Sequence, residues 1–72
     1  NVDAKEARIT ALKAEVSPIV DKLDSLAASV ADSNKTLATK ARSAIGNAQG
    51  LIELLDSELE NIRRFKAATQ SI

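Results

Sequence analysis

From residue 9 to residue 30 the chain reads ITALKAEVSPIVDKLDSLAASV. Its large apolar residues, Ile9, Leu12, Val16, Ile19, Leu23, Leu26 and Val30, follow one another at alternating spacings of three and four. That is the repeat that lays one apolar seam along an α-helix and presents it to a second helix. Beyond Val30 the repeat stops at Ala31-Asp32-Ser33-Asn34-Lys35-Thr36, a polar run rich in turn- and cap-forming residues. A second repeat, Ala38, Ala41, Ile45, Ala48, Ile52, Leu55, Leu59 and Ile62, then begins one residue out of phase with the first. An uninterrupted helix would have kept the phase, whereas a turn resets it. Folding the chain at about Asn34 sets Val30 beside Ala38, Leu23 beside Ile45, Val16 beside Ile52 and Ile9 beside Leu59. The expected fold is therefore all-α: a long antiparallel helical hairpin, or two-helix coiled coil. It takes residues 1–72 as a single domain, with helices over about 3–32 and 36–70 and a turn over about 32–36.

Local signals agree with this reading. Asp3 and Glu6 have the spacing of a capping box for the first helix, and Ser33 or Asn34 is placed to cap the second. Arg63, Arg64 and Lys66 lie towards the end of the second helix, where the macrodipole favours cations, and Glu60 reaches Arg64 one turn on. Two features work against long helices. Pro18 removes a backbone hydrogen bond inside the first repeat, so the first arm is expected to kink or break at 17–18. Gly46 and Gly50 each cost about 1 kcal/mol relative to Ala in a helix. In the hairpin register both face the Pro18 region, so a close backbone approach there would account for all three residues. The alternative is a short three- or four-helix bundle broken at Gly46–Gly50.

Composition narrows the function. The 72 residues contain ten acidic and ten basic side chains, no Cys, His, Trp, Tyr or Met, and one aromatic residue, Phe65. A chain this small has a marginal core and no disulfide or zinc ligand set to brace it, so packing or association must supply the stability. Net neutrality gives no general attraction to nucleic acid, and no run is long enough to span a bilayer. Without a nucleophile–base pair no catalytic residue is assigned, and no enzyme activity, cofactor or metal is expected. The acidic group Glu53, Asp56, Glu58 and Glu60 reads as solvated helix surface. Gly46-Asn47-Ala48-Gln49-Gly50 follows no strand and is no phosphate loop. Asn34-Lys35-Thr36 is a glycosylation sequon, meaningful only in a secreted setting. Localisation is open, with a slight lean to a secreted or cell-surface protein or to a fragment of a larger one.

The apolar residues beside the two seams carry the most functional information. Leu37, Ala44, Leu51, Phe65 and Ile72 recur at one flanking position of the second arm, interrupted by Glu58, and Val20 and Ala27 flank the first seam. These seven residues are the expected interaction surface, on opposite edges of the hairpin. The expected function is a non-enzymatic structural or interaction module that self-associates, as a dimer in the first instance, or docks another protein. The hydroxyl-rich surface (Ser25, Ser29, Thr39, Ser43) is compatible with a fibrous, secreted or surface protein. One alternative is an amphipathic protein whose hairpin opens on a lipid surface. A weaker one, an RNA-binding helical dimer, would use Arg63, Arg64 and Lys66.

Overall fold

A computed structural model describes residues 1–70 and contains two helices, α1 (Val2–Val30) and α2 (Lys35–Gln70), packed against each other along their length. The molecule is a rod of 60 × 14 × 13 Å, an antiparallel helical hairpin. Each helix opens on an asparagine. Asn1 accepts the Asp3 N–H through Oδ1 at 2.9 Å, so the cap of α1 is Asn1 and not the expected Asp3–Glu6 box. Asn34 accepts the Leu37 N–H through Oδ1 at 3.0 Å and caps α2. Between them the chain reverses over residues 31–34, closed by the Asn34 N–H donating to the Val30 carbonyl at 2.8 Å, with no positive-φ residue among the described residues.

Neither arm is broken. Pro18 lies within the continuous helix α1, and Ser17 and Pro18 are both exposed. The ring therefore points away from α2, and the carbonyl four residues back, deprived of its usual donor, faces water. Gly46 and Gly50 likewise sit inside a continuous α2, and a Cβ built on either meets nothing within 4 Å. This corrects the expected close approach of the Pro18 backbone, because both glycines face away from α1.

The seam of α2 runs where the spacing put it. Ala38, Ala41, Leu59 and Ile62 are buried, and Ile45, Ala48, Ile52 and Leu55 are half-buried between them. The seam of α1 does not. Ile9 is buried and Val16, Leu23 and Val30 are half-buried, but the alternate places are filled by Lys13, Val20 and Ala27, while Leu12, Ile19 and Leu26 are exposed. The helix is thus rotated by roughly half a residue step from the expected facing.

The physical reason lies at the turn. Only four residues join the helices, so their axes must be close there, and Ala27 (0% exposed) meets the part of α2 that carries Ala38 and Ala41. A leucine at that place would hold the axes apart. Towards the open end the residues are larger, and Ile9, Leu59 and Ile62 form the buried cluster, with Val2 and Leu55 packed on it.

Candidate interaction face

The rotation of α1 gives the hairpin two unlike edges. One is polar. Lys13 Nζ lies 2.6 Å from Asp56 Oδ1, and Lys66 Nζ lies 2.6 Å from Asp3 Oδ1 and 2.8 Å from Glu6 Oε1. Lys66 and Glu6 occupy seam positions one step beyond Ile62 and Ile9, so the open end is closed by an ion cluster. The hydrogen bond from Lys66, with its charge, holds the Asp3 carboxyl below its ordinary pKa. The bonds to Asp3 and Glu6 raise that of Lys66. Further along this edge stand Thr10, Ser17, Asp24, Arg42, Gln49 and Arg63, with no large apolar residue.

The opposite edge is apolar. Lys5, Leu12, Ile19 and Leu26 share one heptad position of α1, and Leu37, Ala44, Leu51, Glu58 and Phe65 share one of α2. Lys5 from the first set and Glu58 and Phe65 from the second line a single open cleft of about 250 Å³ with Val2, Asn61 and Ile62. Heptad repetition carries that juxtaposition along the rod, setting Ile19 level with Leu51 and Leu26 level with Ala44. Among the described residues, all seven exposed large hydrophobic side chains (Leu12, Ile19, Leu26, Leu37, Leu51, Leu54 and Phe65) fall on this side, Leu54 at 67% exposure and Phe65 at 57%.

Of the residues expected to form the interaction surface, Leu37, Leu51 and Phe65 are exposed on this edge and Ala44 is half-buried beside them. Val20 is half-buried and Ala27 fully buried, both in the seam, so they do not supply a second apolar edge. Ile72 lies outside the described residues. Leu12, Ile19 and Leu26 replace them, and Leu54 adds to the same side. The signal in the sequence was the width of the α1 stripe: apolar residues at three heptad positions serve two neighbours, and only one is present in a single hairpin.

Other chemistry-bearing groups are spent locally. In the acidic group Asp56 pairs with Lys13, and Glu60 accepts from Arg64 at 2.8 Å. Ser29, Thr39 and Thr69 each donate a hydroxyl hydrogen back to a carbonyl of their own helix. Asn34, the sequon residue, uses its side-chain oxygen as the α2 cap. Among the described residues no group of three acidic side chains is arranged to hold a metal ion, and no helix is long and apolar enough to cross a membrane. The fold and this face define a class of molecule, a helical hairpin with one apolar and one polar edge. Compared with known proteins, the chain matches no family model, no curated protein and no solved structure.

Proposed function

We propose that the protein is a non-enzymatic interaction module that works by burying its apolar edge against another protein chain. The observation that carries this reading is the segregation of every exposed large hydrophobic residue, among the described residues, to one side of the rod. Lone surface hydrophobes are ordinary, but a stripe repeated on both helices is the signature of a face that is covered in use. Burying each Leu or Phe is worth about 1.5–3 kcal/mol, which a chain with so small a core has reason to recover.

The test is solution mass by light scattering or sedimentation equilibrium across a wide concentration range, with circular dichroism on the same samples. With no Trp or Tyr, detection uses refractive index or peptide absorbance. A helical oligomer that loses helix on dilution supports the reading. A fully helical monomer at every concentration removes self-association and leaves a different protein chain as the partner. A second reading, docking on a lipid surface, draws on the same face. It predicts binding to phosphatidylcholine vesicles as well as to anionic ones, because the charges balance. Absence of binding to either sinks it.

A further inference from the structure

We infer that the occupant of the apolar edge is a second copy of this chain, seated face to face and end over end, so that the turn of one hairpin lies over the open end of the other. The inference rests on the interaction reading above and adds the partner and its register. Three observations carry it: area, charge and side-chain size.

The chain exposes 5322 Å². A compact monomer of 7.6 kDa is expected to expose about 4,300 Å², so roughly a thousand Å² is in excess. The apolar edge from the Phe65 end to Leu37 is about 40 Å long by helix rise, and two helices wide. Covering it removes on the order of 800 Å² per copy, which is what each partner of a standard stable interface contributes. The chain's zero net charge puts no long-range repulsion between copies.

Charge placement then selects between the two face-to-face arrangements that a two-fold axis allows. At the heptad position that lines this edge beside the seam, only Lys5 and Glu58 carry charge, both in its open-end half. With the turns at the same end, each layer that holds Glu58 holds the other copy's Glu58 too, and Lys5 likewise shares a layer with its counterpart. End over end, no two like charges share a layer. Centring the axis on Ile19 and Leu51, the middle of the strip, then sets Glu58 against Ala44 of the second copy and Lys5 over the turn that follows Val30. Large side chains meet one another elsewhere: Leu12 meets Leu26 of the second copy and Phe65 meets Leu37. Glu58 thus faces a small residue and Lys5 the solvent-exposed turn, so each charged head keeps a path to water. On the axis itself Ile19 meets Ile19 and Leu51 meets Leu51, giving a four-helix bundle in which every adjacent pair is antiparallel.

Because the chain has no cysteine, single cysteines report the arrangement directly. Ile19→Cys, Leu51→Cys and, on the polar edge, Gln49→Cys are each oxidised in the full chain, with solution mass measured on the reduced samples. All three sites are exposed, so the fold tolerates the change. The expected result is a dimer in which Ile19→Cys and Leu51→Cys each cross-link to themselves and Gln49→Cys does not. A dimer that cross-links only when Ile19→Cys and Leu51→Cys chains are mixed has its turns at the same end. That result overturns the arrangement while leaving self-association intact. A monomer at all concentrations overturns the second copy as occupant, and vesicle binding by that monomer would assign the face to lipid.

Discussion

Lys66 Nζ sits 2.6 Å from the Asp3 carboxylate, an ion pair that ties the start of α1 to the last turns of α2 at the open end of the hairpin. Glu6 lies 2.8 Å from the same ammonium, and its carboxylate is the less exposed of the two. The buried cluster ends here against Val2, and three charges complete the closure. The lysine stem covers the end of the core while its head stays at the rim.

This closure has a definite pH window. The folded Asp3 carboxyl titrates below its ordinary 3.8, so its contribution is present above that value and is lost as pH falls through the lowered folded value. The folded Lys66 ammonium titrates above its ordinary 10.5, so its contribution is full below that value and is lost as pH rises through the raised one. The protection of the amides at residues 2–6 and 62–68, taken relative to the intrinsic exchange rate at each pH, is expected to be greatest between these limits and to fall outside them. Lys66→Met, which keeps the stem and removes the charge, should abolish the alkaline limb. An unchanged profile in that variant would show that the ion cluster does not hold the end. High salt should lower that protection, most through the exposed Asp3 and less through the half-buried Lys66 and Glu6.

Gly46 and Gly50 are expected to be stability defects of the lone hairpin. Each lies inside α2 with open space where a Cβ would be. Gly→Ala at each site should stabilise the helix by about 0.8–1.0 kcal/mol, and the double variant by close to the sum. Thermal unfolding followed by circular dichroism measures this. A loss of stability would mean that something absent from the single hairpin approaches the glycine face.

Pro18 makes the same kind of test on α1. Ser17 and Pro18 face water, and Ser17 Oγ donates to the Lys13 carbonyl at 2.9 Å. Pro18→Ala restores a helix hydrogen bond at an exposed site and should stabilise the hairpin by about 3 kcal/mol, the cost of an interior proline. Denaturant unfolding at constant slope would read the gain as a higher midpoint. No gain would mean that α1 is already bent at residue 18 in a way that spares the lost bond.

Much of the hairpin was legible because helix period and phase are local properties of a chain. The one-residue phase slip between Val30 and Ala38 located the turn, and the α2 seam, whose flank on one side is polar, had only one facing open to it. The facing of α1 was not legible in the same way. Leu12, Ile19 and Leu26 make one seam with Ile9, Val16 and Leu23, and Lys13, Val20 and Ala27 make another, a single position apart. A spacing rule takes the more hydrophobic set. The choice is made by the separation of the helix axes at the turn, a long-range quantity that no window of the sequence contains. The apolar edge is what that choice leaves over, so the sequence held half of it, in Leu37, Leu51 and Phe65, and hid the other half.

The facing of α1 can be tested with neighbouring residues that the two seams treat oppositely. Ala27 is 0% exposed and Leu26 is 40% exposed. Ala27→Leu forces three extra carbons between closely spaced helices and should destabilise by about 1–3 kcal/mol through overpacking. Leu26→Ala removes a side chain already partly in water and should cost well below the 2–5 kcal/mol of a buried Leu→Ala. Leu59→Ala, at 4% exposure, is the buried reference and should cost that full amount, enough to unfold much of the population. Equilibrium unfolding should be measured at concentrations where the chain is monomeric, because association would add its own penalty at Leu26. If Leu26→Ala there costs as much as Leu59→Ala while Ala27→Leu is neutral, α1 presents its other seam and the apolar edge disperses to both sides of the rod. If the order is as given, a concentration-dependent penalty that appears only for Leu26→Ala is the share of Leu26 in covering that edge.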